Sequence, residues 1–200
     1  AFGDSVFLAV LRDVKNKEFK STDITGNYNH FWIVDREFDN RTSVVSDPPD
    51  GRIPELTAEG KKRQAAAAEY RKLHPADGPE DLPLSHRCLT FGVPRLGAGY
   101  NSYFQITQTK DYVAIGQEMI HDVRVIPLEG RPHLPSGVRQ WHGDPRARWE
   151  GDTLVVESTN FSRKALFQNL PAENLQTIER FTRIGPKIIE WKVTVNDPVT

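Results

Sequence analysis

The chain has 200 residues, 38% of them hydrophobic and 26% charged, which is enough to build one domain over 1–200 with a sizeable core. Twenty-six basic residues against twenty-seven acidic give a net charge of −1 with no long basic run, so the electrostatic footprint of a nucleic-acid binder is missing. Ten Phe, five Tyr and four Trp argue against disorder, and a single cysteine, Cys88, excludes an internal disulfide and a Cys-based zinc site.

No apolar run approaches the roughly 18 residues of a membrane-spanning helix. Residues 1–20 carry Arg12, Asp13, Lys15 and Lys17 where a signal peptide is apolar. A mature chain whose signal has been removed would read the same way.

Phe7, Val10, Leu11 and Val14 recur at helical spacing and predict a short amphipathic helix within an N-terminal segment, 1–20. Residues 31–34 and 43–46 read as two short strands, closed by the turn Asp47-Pro-Pro-Asp-Gly51. Thr57 can cap a helix over 57–73, rich in strong helix formers, with Ala66, Tyr70 and Leu73 as one narrow apolar stripe. His74-Pro75 ends it, and 74–101 is expected to be an irregular Pro- and Gly-rich connection.

From residue 102 to 195 the pattern becomes an antiparallel meander. Strands are expected at 102–109, 112–118, 121–128, 146–150, 153–159, 175–184 and 187–195, joined by turns such as Lys110-Asp111, Gly151-Asp152 and Gly185-Pro186. Ile189, Trp191, Val193 and Val195 alternate with polar residues, as in a half-buried strand. Consecutive antiparallel strands in this number curl to protect their edges. The expected fold is therefore mainly β, an antiparallel up-and-down barrel or strongly curved sheet with one clear helix.

Two longer motifs, Arg87-Cys-Leu-Thr-Phe-Gly-Val-Pro-Arg95 and Gly143-Asp-Pro-Arg-Ala-Arg-Trp-Glu-Gly-Asp-Thr-Leu-Val-Val156, resemble a large family of uncharacterised exported bacterial proteins. Asp47-Pro-Pro-Asp-Gly-Arg-Ile-Pro54, Leu128-Glu-Gly-Arg-Pro-His133 and Glu179-Arg-Phe-Thr-Arg183 belong to the same pattern, and the resemblance runs from about 22 to 198. It implies a lipocalin- or calycin-like barrel in the periplasm or outside the cell, and it implies no mechanism. Many members place Gly-x-Trp near the first strand, where Gly26-Asn-Tyr28 stands here. Members also tend to run past the equivalent of Asp197-Pro198, which makes a missing last strand an expectation.

The densest polar cluster joins Glu118, His121 and Arg124, followed by His133, Arg139, Asp144 and Arg146. A carboxylate beside an imidazole tunes it near neutral pH, and a guanidinium holds a developing negative charge, so Glu118, His121 and Arg124 form a candidate catalytic set. The competing structural reading makes Glu118, Arg124 and Arg146 members of cross-strand ion pairs. Glu118-x-x-His121 is half a di-iron signature in a segment that favours a strand. The spacings of His121, His133 and His142 match no dedicated metal motif, so no metal or other cofactor is assigned. His86 and Cys88 would share one face of an extended chain, though a lone Cys is more often a small apolar residue.

His133, Arg139, Trp141, Asp144, Arg146 and Trp149 are the candidate ligand-binding residues, since barrel mouths are apolar with a few polar anchors. Three functions stay open. The first is an exported binding protein for a small apolar or aromatic ligand. The second is a small-molecule hydrolase, lyase or isomerase using Glu118, His121 and Arg124. The third is a structural or assembly subunit, with a homo-oligomer as partner.

Overall fold

The computed structural model describes residues 43–90, 103–128 and 130–200. They fall in two units taken separately, 43–55 and Leu56–Thr200. The expected N-terminal helix, the strand at 31–34 and Tyr28 lie outside the described residues, as does the connection from 91 to 101.

In the first unit, 43–46 form no strand. The Ser43 hydroxyl accepts from the Val45 N–H at 3.0 Å and donates to the Gly51 carbonyl at 2.8 Å, so a local side-chain bond folds the segment back on its own turn. Serine offers the backbone this alternative to a ladder, and the predicted strand loses to it.

The second unit is mainly β and antiparallel. Helix α1 (Ala58–Leu73) begins at Thr57, whose hydroxyl accepts from the Gly60 N–H at 3.0 Å. The same hydroxyl donates to the Val199 carbonyl at 2.6 Å, and the Thr57 N–H donates to the Thr200 carbonyl at 2.9 Å. The predicted stripe is not a core face: Ala66 is exposed, and Tyr70 and Leu73 are 51% and 62% exposed. The run Ala65–Ala68 favours the helix by backbone propensity, and besides the N-terminal turn Arg63 ties it to Glu173 at 3.3 Å.

Strands follow in the predicted places: β1 (Phe104–Gln108), β2 (Tyr112–Gln117), β3 (Val123–Pro127), β4 (Asp144–Glu150) and β5 (Thr153–Thr159). A short hairpin, β6 (Leu166–Phe167) with β7 (Leu170–Pro171), precedes β8 (Gln176–Gly185) and β9 (Ile188–Asn196). They make a three-stranded sheet in the order β1-β2-β3, a four-stranded sheet β4-β5-β8-β9 and the separate β6-β7 pair. Among the described residues these sheets do not close into a barrel.

Period-2 alternation assigns the faces. On the first sheet Val113, Ile115, Arg124 and Ile126 point inward. On the second, Ala147, Leu154, Val156 and Glu179 do so. Val113, Ile115, Ile126, Ala147, Leu154 and Val156 pack into one core, with Leu128 and Phe181 against it. A second core gathers Phe161, Ala165, Ala172 and Leu175 under the β6-β7 hairpin, with Trp141, Phe167 and Val195 at its margin. Gln168 and Asn169 turn that hairpin with φ of 50° and 65°, the two left-handed positions a tight hairpin turn demands.

The outer face of β4-β5-β8 carries a charge ladder. Arg148 Nη1 donates to Glu157 at 2.6 Å and Nε to Glu150 at 2.9 Å, while Arg180 Nη2 donates to Glu150 at 2.8 Å. Val155 lies in register between Arg148 and Arg180 and is fully buried although it faces outward, so the arginine stems flank it. Hydrogen bonds from Arg180, then Arg148, hold the Glu150 carboxyl below its ordinary range.

Two outcomes are expected. Glu150 is depressed in the folded state, so its contribution is present above the unfolded carboxylate range and fades as pH falls through the folded value. Urea midpoints of wild type and Glu150→Gln should therefore differ near neutrality and converge in acid. Gly143 has φ +70°, and an added Cβ would sit 2.6 Å from the Thr159 carbonyl and 3.0 Å from the Phe161 ring. Gly143→Ala should thus cost about 2 kcal/mol or more in denaturant unfolding.

Candidate functional site

The interior between the sheets is apolar on one side and polar on the other. Arg124 enters from β3 in the phase that otherwise carries Ile126, and Glu179 enters from β8 between Thr177 and Phe181. Arg124 Nη1 donates to Glu179 Oε1 at 2.5 Å and Nη2 to Oε2 at 3.0 Å, a bidentate pair that is almost wholly buried. Each ion is sheltered from water, and each is tolerable only because the other is present.

Four polar atoms facing this interior are buried without a hydrogen-bond partner among the described residues: Arg124 Nε, Ser158 Oγ, Thr177 Oγ1 and Trp191 Nε1. Ser158 and Thr177 are direct cross-strand partners, and Val156 and Glu179 are the next inward-facing pair. Gln117, also buried, ends the inward row of β2.

One side of the interior is open. Strands β1 and β9 are sheet edges, and every residue of β1 is exposed. Phe104 and Ile106 occupy the inward phase of β1, opposite Gln117 and Ile115, yet stay 37% and 42% exposed. The Phe104 ring meets Trp191 of β9 edge-on at 5.7 Å, and Trp191 stacks on Phe181 at 5.5 Å. These three rings bridge the two sheets at their open edge.

The structure does not join the residues of the catalytic set through their side chains, although the His121 N–H reaches the Glu118 carbonyl at 3.4 Å. Strand β2 ends at Gln117, and Met119–His121 form a single 3-10 turn with Ile120 and His121 at positive φ. Glu118 accepts from the Tyr103 N–H at 3.3 Å, His121 is exposed, and Arg124 is committed to Glu179. No side-chain hydrogen bond or ion pair joins Glu118, His121 and Arg124 among the described residues. The cross-strand partner of Arg124 is not Glu118: the pair forms across the interior, from one sheet to the other.

Of the six candidate ligand residues, three meet. Asp144 is buried at the start of β4; its Oδ2 accepts from the Leu134 N–H at 2.8 Å and lies 3.0 Å from His133 Nδ1. Its Oδ1 accepts from Arg146 Nη1 at 2.6 Å, and Arg146 Nε reaches the Pro132 carbonyl at 3.2 Å. Arg139 donates to the carbonyls of Phe161 and Glu173 at 3.0 and 2.7 Å. Together these bonds pin the segment from 131 to 140 where it crosses from one sheet to the other. Trp141 packs at the margin of the second core, and Trp149 is half exposed near the end of β4.

A second imidazole–carboxylate contact, His142 Nε2 to Asp122 Oδ1 at 3.0 Å, ties the same crossing to the start of β3. Leu84–Arg87 is a 3-10 helix and Cys88 is left-handed at φ 53°, so the extended geometry that would align His86 with Cys88 is absent. Among the described residues, no three His, Cys, Asp or Glu gather to hold a metal ion, and no helix is long and apolar enough to cross a membrane.

Glu179, Ser158 and Thr177 were not among the candidates from sequence. Their signal was the phase of the strand: a charged or hydroxyl residue where alternation calls for an apolar one. Comparison with family models, curated proteins and solved structures finds no match for the chain.

The buried pair sets a clear expectation for stability. Glu179→Leu leaves the Arg124 charge buried and unpaired, which should cost about 3–5 kcal/mol in denaturant unfolding. Arg124→Met combined with Glu179→Leu removes both charges and should recover most of that loss. Additive losses in the double variant would show that the two side chains act independently.

Proposed function

We propose that this is an exported, calycin-like binding protein for small apolar or aromatic molecules, which enter between β1 and β9. The single observation that carries the reading is the open edge. Phe104 and Ile106 sit in the inward phase of their strand and nevertheless face solvent, beside the half-buried Trp191. Inward-phase apolar residues are normally covered, and exposed ones with aromatic neighbours mark a site that another molecule covers.

The core between Val113, Ile126 and Leu154 is filled by the protein's own side chains, so a ligand lodges at this edge, away from the centre. The export and calycin parts of the reading draw on the motif resemblance and on two antiparallel sheets packed face to face. Arg146, one of the candidate ligand-binding residues, spends its bonds on Asp144, Pro132 and Pro145. The aromatic wall at the edge takes over as the main source of affinity.

N-phenyl-1-naphthylamine, a neutral fluorophore that brightens in apolar surroundings, tests this directly. A saturable rise in its emission with quenching of tryptophan fluorescence is expected. Phe104→Ala with Ile106→Ser should weaken binding by about tenfold or more, close to 1.4 kcal/mol. A linear, unsaturable signal, or equal affinity in that variant, would remove the reading.

A further inference from the structure

We infer that β1 is a dimerisation edge, on which a second copy of this chain pairs its own β1 antiparallel about a two-fold axis at Ile106. The inference uses the backbone of β1 and does not rest on the binding reading, which uses side chains of the same strand.

The hydrogen-bonding groups of this edge can be assigned. The Glu118 N–H donates to the Tyr103 carbonyl at 3.0 Å, and the Thr109 N–H donates to the Tyr112 carbonyl at 2.8 Å. Bonded pairs alternate along an antiparallel ladder, so Tyr103, Gln105, Thr107 and Thr109 turn their backbone groups toward β2. Phe104, Ile106 and Gln108 turn theirs the other way, to the side on which β1 has no neighbouring strand. All five residues of the strand are exposed.

Sheet edges commonly carry a charge, a proline or a bulge that discourages pairing with another chain. The other long edges of this molecule do so. Strand β9 holds Glu190 and Lys192 and meets a register shift between Arg183 and Gly185 of β8. Strand β4 holds Pro145, Arg146, Arg148 and Glu150, and β3 holds Arg124 and ends on Pro127. Strand β1, Phe-Gln-Ile-Thr-Gln, has neither charge nor proline, and it pairs with β2 without a bulge. Among the described residues it is the one long edge left without such protection.

The symmetry of the strand selects a second copy as the occupant. Across a new antiparallel ladder, residues whose backbone groups point outward must meet their own kind. A two-fold axis at Ile106 achieves this over the whole strand: Ile106 meets Ile106 of the partner subunit, and Phe104 meets Gln108 of the partner subunit. Gln105 then meets Thr107 of the partner subunit on the outer face, a neutral pair able to hydrogen-bond, and no like charges are opposed. The contact is isologous, so it closes at two copies and leaves no β1 edge free. Side chains stand perpendicular to the ladder, so Phe104 and Ile106 keep to the inward face, with Phe104 against Trp191.

Sedimentation velocity of the full chain across a dilution series should show monomer and dimer in equilibrium and no larger species. Gln105→Lys with Thr107→Lys sets lysine opposite lysine and should weaken the dimer by about tenfold or more. Gln105→Lys with Thr107→Glu sets opposite charges at the same positions and should restore it, which a merely damaged strand would not do. Hydrogen exchange on the unaltered chain gives a second readout. The amides of Phe104, Ile106 and Gln108 should slow on dimerisation, while those of Gln105 and Thr107 are protected in both states. A dimer indifferent to the charges, or one whose Ile106 amide still exchanges fast, forms elsewhere and would overturn the inference. A monomer at every concentration would overturn it too, and slow exchange at Ile106 in that monomer would give the edge to another segment of the same chain.

Discussion

The pairing of Arg124 with Glu179 is the constraint on which the rest of the interior depends. A guanidinium and a carboxylate placed among Ile115, Ile126 and Val156 are tolerable only if their forks meet, and they meet only at one relative placement of the two sheets. Apolar packing alone is less particular about register, because leucine and valine contacts slide at modest cost. The ion pair makes the face-to-face arrangement directional and divides the interior into a filled apolar side and a polar side with unspent donors.

That division accounts for where the other polar residues go. Asp144, Arg146, Arg139 and the His142–Asp122 contact are all spent on the chain between β3 and β4, the one long crossing between the sheets. The crossing is rich in proline and glycine and forms few ladder bonds, so its backbone groups need side-chain partners. Residues that look like a reactive cluster in the sequence are thus largely occupied in holding a connection, and the groups left over lie deeper, on β5 and β8.

Much of the fold was legible. Most of the meander from β1 to β9 could be read because strands such as β2 and β9 alternate and the turns carry their own chemistry, as at Gly151-Asp152, whereas β5 alternates less cleanly. Thr57 announced α1, although its apolar stripe misled: Tyr70 and Leu73 have helical spacing without a surface to cover. The β6-β7 hairpin escaped notice because two-residue strands show no period. Ser43-Val-Val-Ser46 reads as a strand by composition, and its own serine hydroxyl folds it elsewhere. The candidate site was legible only in part. Arg124 stood out, but its partner Glu179 is 55 residues away and no local pattern links them. Glu118 and His121 looked like partners of Arg124 because they lie close to it in sequence at the ends of the strands expected at 112–118 and 121–128, and the left-handed Ile120 and His121 turn the chain between those strands.

The charge ladder over Val155 has a consequence of a different kind. Exposed ion pairs are individually weak at room temperature, yet the hydration that opposes them becomes less favourable on heating, while apolar burial stops gaining. Arg148, Glu150, Glu157 and Arg180 span three strands, so their mutual hold tightens relative to the core as the molecule warms. Sheet β4-β5-β8-β9 is therefore the part of the structure suited to outlast the rest in heat, and β1-β2-β3, which has no such ladder among the described residues, is the part suited to come away first.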